Sequence, residues 1–188
     1  MTMNLVHRWL CGSAHWEKTS ATRIVPWALE GVDLGDATLE VGPGYGANVR
    51  TLRGRTTELS GVEIDPALAA RLRTRHADRL RVIEGDGAAM PLPDHEFSAV
   101  VTFTMLHHVP TPTQQDAVFA EAFRVLRPGG VFAGSDGMDS LSFRLVHLGD
   151  TYNPIPHTAL PARLTAAGFT DIHVETGTGS FRFSARHP

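Results

Sequence analysis

Three carboxylates accompany a glycine-rich loop in the first half of the chain. The loop, residues 42–46, reads Gly-Pro-Gly-Tyr-Gly and lies between an apolar run typical of a strand and a helical pattern. Glycines at such a turn let a ligand approach the backbone N–H groups at the start of a helix. Glu40 stands two residues before the loop, and Glu63 and Asp86 lie at the ends of the next two predicted strands. Because parallel strands end at one edge of a sheet, we expect the three carboxylates to face one ligand.

Two classes of ligand fit this loop. Gly42, Gly44 and Ala47 also satisfy the G-x-G-x-x-A pattern of dinucleotide-binding proteins, and Glu63 lies about 20 residues further on, where a ribose-binding carboxylate is expected. Glu40 separates the two interpretations, because a carboxylate at this position would repel a pyrophosphate but suit an ammonium group. A ligand that joins a nucleoside to an amino acid is therefore favoured over a dinucleotide.

Each carboxylate has a predicted partner on such a ligand. Glu40 would face the ammonium group, Glu63 would accept hydrogen bonds from both ribose hydroxyls, and Asp86 would accept one from the adenine amino group. A glycine turn that binds nothing is the plainer alternative. It is disfavoured because a carboxylate at a partly buried strand end costs free energy unless something pairs with it.

Two adjacent histidines are the candidates for acid–base chemistry. His107 and His108 follow the fourth predicted strand and so lie at the same edge as the loop. An imidazole there could accept a proton from a substrate, and since neighbours in a loop seldom face the same way, at most one should do so. We predict His107 as the catalytic residue, with a purely structural role in the loop as the alternative. No metal site is predicted, because the histidines show no clear metal-binding spacing.

The elements that position these residues follow from hydropathy patterning. Short apolar runs alternate with helical segments, which predicts an α/β fold with a mostly parallel, seven-stranded sheet covered by helices on both faces. The last two strands are joined by only three residues and must form an antiparallel hairpin. The predicted strands cover residues 37–41, 57–64, 80–84, 97–103, 131–135, 171–176 and 180–185, and the predicted helices cover 46–53, 66–77, 113–126 and 158–167.

From about residue 39 to residue 186, the sequence resembles the class I S-adenosylmethionine-dependent methyltransferases. The matching motifs are E-V-G-P-G-Y-G, V-E-I-D, G-D-G-A-A-M-P-L-P, V-V-T-F-T-M-L-H-H-V and R-V-L-R-P-G-G. Each motif is weak alone, but their order and spacing are specific and are most similar to the small-molecule branch that includes quinone-biosynthesis methyltransferases. The resemblance implies a Rossmann-like fold, S-adenosylmethionine as cofactor and S-adenosylhomocysteine as product. The chain departs from the family at Ser98, where an acidic residue is common, and we expect a local change there without loss of the cofactor.

The resemblance also implies roles for single residues. Tyr45 would line the methionine end of the cofactor, Ile64 would pack on adenine, Gly87 would offer its backbone, and Phe103 would offer a carbonyl to the ammonium group. The predicted cofactor-binding residues are therefore Glu40, Gly42, Gly44, Tyr45, Gly46, Glu63, Ile64, Asp86, Gly87 and Phe103.

Length and composition limit the remaining choices. The 188 residues predict one methyltransferase domain, with a helical N-terminal cap at 1–36 and the cofactor-binding core at 37–188. A net charge of −3 argues against a dedicated nucleic-acid binder, and a single cysteine excludes an internal disulfide. The sequence shows neither a signal peptide nor a long apolar run, which predicts a cytoplasmic protein without a membrane span.

The predicted function is transfer of a methyl group to a small organic acceptor by in-line displacement. A non-catalytic module that binds S-adenosylmethionine or a nucleotide is the first alternative, and a nucleic-acid methyltransferase is the second. The first 38 residues and the irregular stretch 137–156 are expected to select the acceptor, because the rest of the chain forms the cofactor domain.

Overall fold

The computed structural model of the protein describes residues 4–188, apart from the side chains of residues 5 and 6. The predicted N-terminal cap is thus described from position 4 onward, and its positions 1–3 lie outside the described residues. Among the helices of this range, none combines the length and the apolar character needed to cross a membrane.

A seven-stranded sheet forms the centre of the molecule, and the predicted fold class is confirmed. The strands are β1 (Ala37–Val41), β2 (Glu58–Glu63), β3 (Arg81–Glu84), β4 (Phe97–Phe103), β5 (Leu126–Gly137), β6 (Thr170–Thr176) and β7 (Ser180–Arg186). Their order is β3-β2-β1-β4-β5-β7-β6. The first five strands pair in parallel, while β7 is antiparallel to both β5 and β6. The predicted hairpin is therefore present at the end of the chain.

Helices cover both faces of this sheet. They are α1 (Leu5–Cys11), α2 (Ala14–Thr19), α3 (Val25–Ala28), α4 (Val49–Arg53), α5 (Pro66–Arg75), α6 (Pro112–Val125), α7 (Leu141–Val146) and α8 (Leu160–Ala166), with a π-helical turn at Ser20–Ile24 and a 3-10 turn at Leu106–His108. One apolar core includes Phe119 of α6 and Leu164 of α8, and the other includes Leu52 of α4 and Leu72 of α5. Such double coverage explains why every residue of β1 is buried.

Two helical segments differ from the sequence prediction. The helix expected from Gly46 begins at Val49, because Gly46 has a φ of +79°, which an α-helix does not allow. The stretch 137–156, expected to be irregular, contains the short helix α7. The Ser140 side chain caps this helix by accepting a hydrogen bond from the Phe143 N–H.

The strand order reverses between β1 and β4, and this reversal creates the site. The connections that leave β1 and β4 run to opposite sides of the sheet, so a crevice opens beyond the carboxyl ends of these strands. The loop at 42–48, the ends of β2 and β3 and the 3-10 turn after β4 all reach this edge.

Candidate active site

A cavity of about 220 Å³ occupies the crevice at the carboxyl edge of the sheet. Its wall combines the glycine loop, the ends of β2 and β4 and part of the N-terminal segment. Eight of the ten predicted cofactor-binding residues line it: Gly42, Gly44, Tyr45, Glu63, Ile64, Asp86, Gly87 and Phe103. The structure thus brings together residues from four separate motifs of the sequence.

Two glycines of the loop adopt backbone angles that other residues rarely take. Gly42 has a φ of +69° and Gly44 a φ of +55°. A Cβ atom on Gly42 would lie 2.5 Å from Cγ of Met105, a residue of the cavity wall, whereas a Cβ on Gly44 would meet nothing within 4 Å. Gly42 therefore lets Met105 pack closely against the loop, and Gly44 leaves open space beside its backbone.

Glu63 is the carboxylate most firmly fixed in the wall. It is buried at the end of β2, where its two oxygens accept hydrogen bonds from the N–H groups of Gly44 and Asp65 at 2.9 and 3.0 Å. Burial raises the pKa of this carboxyl, although the backbone hydrogen bonds oppose that shift. The carboxylate therefore links the glycine loop to the end of β2 while facing the cavity.

The ends of β2 and β3 also contribute more exposed groups, Ile64 after β2 and Asp86 after β3. Asp86 is exposed, and one of its oxygens accepts a hydrogen bond from the Ala88 N–H at 2.9 Å, which fixes the turn. Ile64 keeps 44% of its surface exposed although it is apolar. A Cβ on Gly87 would lie 2.9 Å from a methyl group of Val41, so only glycine fits comfortably there. Flat apolar surface next to a hydrogen-bonding carboxylate suits a purine ring.

Glu40 and Gly46 do not reach the cavity wall. Glu40 is almost fully buried, and one of its oxygens accepts a hydrogen bond from the Asn48 side chain at 2.6 Å. Its other oxygen has no hydrogen-bond partner among the described residues. Burial raises the pKa of Glu40 to about 7. Gly46 packs against α5 instead, where a Cβ would lie 2.7 Å from the His76 ring.

Asn48 and Ser20 stand between Glu40 and the cavity. Both line the wall, and the Ser20 hydroxyl donates a hydrogen bond to the Asn48 side-chain oxygen. Glu40 therefore acts on the cavity through Asn48 rather than directly. Sequence reasoning missed Asn48 and Ser20, although Asn48 directly follows the glycine loop and could have been found from that position.

Four histidine rings meet beside the cavity, and we call them the histidine cluster: His7, His107, His108 and His147. All four residues are buried. Only His108 also lines the cavity, and burial together with the neighbouring imidazoles lowers its pKa to about 2. The structure does not bring His107 to the wall. His107 lies in the cluster, with its Nδ1 2.5 Å from Asp136 and its Nε2 3.0 Å from Nε2 of His147.

Further wall residues come from the two segments expected to select an acceptor. Cys11, Trp16 and Ser20 belong to the N-terminal segment, and Thr151 belongs to the stretch 137–156. None of them was among the predicted site residues. Their positions depend on how the N-terminal helices pack over the edge of the sheet. That packing cannot be predicted from the spacing of residues within one segment.

Comparison with known proteins agrees with this geometry. A family profile described as "Methyltransferase domain" matches residues 39–134, about half of the chain. A probable S-adenosylmethionine-dependent methyltransferase of Mycolicibacterium smegmatis is 36% identical over 98 residues, which cover 52% of this chain and 37% of that protein. The demethylmenaquinone methyltransferase of Tropheryma whipplei is 31% identical over 121 residues, covering 62% and 46%. The chain thus spans less than half the length of these curated relatives.

Solved structures share the fold over nearly the whole chain. A crystal structure of an S-adenosylmethionine-dependent methyltransferase from Thermotoga maritima superposes with a TM-score of 0.75 at 18% identity. The match covers 98% of this chain and 92% of that protein. The N-terminal helices are therefore within the shared fold as well as the cofactor-binding core.

Proposed function

The chain belongs to the S-adenosylmethionine-dependent methyltransferases of the class I fold, and on that premise we propose that it transfers a methyl group to a small organic acceptor. The observation that carries the proposal is the cavity at the carboxyl edge of the sheet, whose wall contains eight of the ten residues predicted to bind the cofactor. We further propose that residues 37–188 act as one cofactor-binding core, that the preceding helices cap it, and that the protein works in the cytoplasm.

The wall suits the nucleoside part of the cofactor. Glu63 would accept hydrogen bonds from the ribose hydroxyls, because both of its oxygens are held at the cavity by backbone N–H groups. Asp86 would accept a hydrogen bond from the adenine amino group, and the exposed face of Ile64 would pack on the ring. Gly87 would let its backbone approach the ring closely.

The amino-acid part of the cofactor would lie near the glycine loop. Its ammonium group would be bound by the Phe103 carbonyl and the side-chain oxygen of Asn48, whose amide group is oriented by Glu40. Tyr45 would line the same end. The buried Glu40 oxygen without a partner fits this interpretation, since a cationic ligand close by would offset the cost of an ionised carboxylate.

When bound, S-adenosylmethionine supplies an electrophilic methyl group. The residues of this chain would align the acceptor and exclude water, which is the main requirement of an in-line displacement. Trp16 and Met105 supply apolar parts of the wall for that purpose. We propose that the ring of His108, whose Nδ1 faces the Thr151 carbonyl, forms part of the surface that the acceptor contacts and does not act as a base, and that His107 acts behind it as a positioning residue, held by Asp136.

A small apolar or aromatic acceptor agrees best with the wall. Beyond the cofactor-binding residues it contains Leu68, Met105, Val109 and Val118, and only a few polar groups interrupt them. An enclosed space of this kind suits a small molecule with one polar point of attachment. A nucleic acid is disfavoured by the net charge of −3.

The change in melting temperature on adding a ligand tests which cofactor the protein binds, and formation of S-adenosylhomocysteine tests whether it catalyses methyl transfer. S-adenosylmethionine and S-adenosylhomocysteine should raise the melting temperature, because a ligand that binds only the folded state stabilises it. NAD is the matched control and should leave the melting temperature unchanged. Purified protein should then form S-adenosylhomocysteine with at least one member of a panel of aromatic, quinone-like and fatty acceptors. Stabilisation by NAD alone would contradict the proposal, and cofactor binding without turnover on any acceptor would favour the non-catalytic module.

A further inference from the structure

The histidine cluster joins three segments that are far apart in the sequence. His7 lies in α1, His107 and His108 lie in the 3-10 turn after β4, and His147 follows α7. None of the four residues exposes more than 6% of its surface. The ring centroid of His7 lies 5.1 Å from that of His108 and 4.5 Å from that of His147. Four imidazoles therefore share one buried space next to the cofactor cavity.

Every ring of the cluster is oriented in the same way, with Nδ1 directed at an acceptor. The acceptors are a carboxylate of Asp150 for His7 at 2.7 Å, a carboxylate of Asp136 for His107 at 2.5 Å, the carbonyl of Thr151 for His108 at 3.3 Å and the carbonyl of Phe143 for His147 at 2.7 Å. Carbonyl oxygens and ionised carboxylates only accept hydrogen bonds. Each Nδ1 must therefore carry the proton.

This orientation leaves Nε2 of each ring free to accept a hydrogen bond or to bind a metal. In a neutral imidazole whose Nδ1 carries the proton, Nε2 is an acceptor. Nε2 of His107 lies 3.0 Å from Nε2 of His147, which is hydrogen-bond distance, so a proton or a metal ion must lie between the two nitrogens. Nε2 of His7 and of His108 has no hydrogen-bond partner among the residues that the structure describes. Two buried carboxylates, Asp136 and Asp150, add negative charge around the rings. Either a proton or a metal ion can supply the positive charge, and the meeting of four rings in one place favours a metal ion.

We propose that the cluster is a binding site for a divalent first-row transition metal, Zn²⁺ being the ion that its donors suit best. His7, His108 and His147 would each bind through one ring nitrogen, since their candidate ligand atoms already lie within 4.8 Å of one another. His107 lies outside that group of three, but its Nε2 is 3.0 Å from Nε2 of His147 and would supply the fourth nitrogen. Tetrahedral zinc with Zn–N bonds of about 2.0–2.1 Å places its nitrogens about 3.3 Å apart, so the rings of His7, His108 and His147 would have to approach one another by up to about 1.5 Å.

The surroundings of the rings are those that metal-binding histidines have. Such histidines donate their second N–H to a carboxylate or a backbone carbonyl, which fixes the ring and its tautomer. All four rings do so here, two through carboxylates and two through carbonyls. Imidazole ligands suit zinc, copper, nickel and iron rather than magnesium or calcium. The two carboxylates would balance the charge of a divalent ion.

The proposed metal would clamp the two segments that complete the cavity. His7 ties α1 to the site, and His147 ties the end of α7 to it, while the turn carrying His107 and His108 continues directly from the sheet. The Asn4 backbone N–H also donates to Asp150, so the two segments already meet beside the cluster. Metal binding should therefore order the N-terminal helices over the cavity, because a ligand that binds only the assembled site stabilises that assembly.

Metal content and affinity test the proposal without any need for activity. The full chain, produced without a polyhistidine tag and stripped with a chelator, is titrated with Zn²⁺ by calorimetry, and the metal retained after dialysis is measured by mass spectrometry. We expect one ion per chain. Binding of Co²⁺ should also give the visible absorption of a tetrahedral nitrogen site.

Variants decide whether the cluster is the site. His7→Ala should weaken zinc affinity at least 30-fold, and Asp150→Asn should weaken it about tenfold through loss of the group that orients His7. His157→Ala, which removes a half-buried histidine outside the cluster, should bind zinc like the wild type. Asp150→Asn keeps the test valid if His7→Ala does not fold. Retention of less than a tenth of an ion by the wild type, or unchanged zinc affinity in both cluster variants, would overturn the proposal whatever the outcome with S-adenosylmethionine.

Discussion

The cofactor edge and the histidine cluster lie at the same end of the sheet but are built differently. We call the loop 42–48 together with Glu63 and Asp86 the cofactor edge. At this edge, carboxylates accept hydrogen bonds from backbone N–H groups, as Glu63 does from Gly44. In the cluster, imidazoles are oriented by carboxylates and carbonyls, and Nε2 of His107 faces Nε2 of His147. The edge presents polar groups to a cofactor, and the cluster presents only acceptors to a cation.

The two regions also differ in how the chain assembles them. The loop directly follows β1, Glu63 ends β2, and Asp86 lies two residues after β3, so the sheet positions each part of the edge. The cluster exists only after α1 and α7 have packed onto the turn that carries His107 and His108. His108 belongs to the cluster and also lines the cavity, so it alone can couple the two regions directly. Variants of the edge should therefore change cofactor binding or stability and leave zinc binding unchanged.

The largest expected effect concerns the buried acid behind the edge. Burial raises the pKa of Glu40 from 4.5 to about 7, so between these pH values the folded protein holds a proton that the unfolded chain has lost. The contribution of Glu40 to the free energy of unfolding should therefore fall by about 3 kcal/mol as pH rises from 4.5 to 7. It should be constant outside that window.

Comparison with Glu40→Gln isolates this contribution. Glutamine keeps an oxygen for the Asn48 hydrogen bond but does not titrate. Urea unfolding at pH 5 and pH 8 should show that the wild type loses stability relative to the variant on going to the higher pH. Histidines with lowered pKa values titrate in both proteins and cancel in the difference. A difference that does not change with pH would mean that Glu40 is ionised throughout.

The next effect tests the backbone of the glycine loop. Gly42→Ala should weaken S-adenosylmethionine binding about 30-fold, or about 2 kcal/mol, because the new methyl group would push Met105 into the cavity. Gly31→Ala is the matched control, since Gly31 has a similar φ of +72° with nothing within 4 Å and does not line the cavity. Gly31→Ala should lose about 1 kcal/mol of stability and Gly42→Ala more, because only Gly42→Ala also displaces Met105. Only Gly42→Ala should change the dissociation constant. Equal effects on binding would contradict the assignment of the cavity.

A smaller effect is expected from the carboxylate at the end of β2. Glu63→Gln replaces one acceptor by a donor, so the N–H of either Gly44 or Asp65 loses its partner. We expect S-adenosylmethionine affinity to fall about tenfold, or about 1.4 kcal/mol. Glu84→Gln is the control, because Glu84 lies opposite Glu63 on β3 but is about half exposed and pairs with Arg73. Calorimetry should find zinc affinity unchanged in both variants, and a loss of zinc binding in Glu63→Gln would show that edge and cluster are coupled.

The same contrast explains what the sequence could predict. The seven strands, with β5 longer than predicted at Leu126–Gly137, and the positions of the loop glycines, Glu63 and Asp86 follow from local patterns, because each motif stands at the end of a strand. The other four wall residues of the predicted set, Tyr45, Ile64, Gly87 and Phe103, were expected from the resemblance to the methyltransferase family. Glu40 was expected to face the ligand directly. Its side chain lies behind Asn48 instead, since the sequence did not specify which side chain of the loop would fill the space between them.

The histidine cluster could not be predicted for a physical reason. Metal-binding motifs are recognised by spacing within one helix or loop, and here His7 and His147 lie far apart in the sequence, in α1 and after α7. Helix α7, which brings His147 to the site, is only six residues long and lies among glycine, serine and asparagine residues. Its formation depends on packing, as that of most short helices does.

Ser98 gives the smallest expected effect and tests the far end of the sheet, where β1 and β4 begin. Its hydroxyl accepts a hydrogen bond from the Ala37 N–H at 2.9 Å and donates one to the Leu34 carbonyl at 2.7 Å. Ser98 therefore accepts the hydrogen bond at the start of β1 that an acidic residue at this position could also accept. Ser98→Ala should cost about 1 kcal/mol of stability in urea unfolding, while the exposed Ser142→Ala should change it by less than about 0.5 kcal/mol. Because position 98 lies at the amino end of β4 and the cavity at its carboxyl end, both S-adenosylmethionine and zinc affinities should stay within about twofold. A larger loss of cofactor affinity would mean that the start of β1 transmits strain along the strand to the cofactor edge.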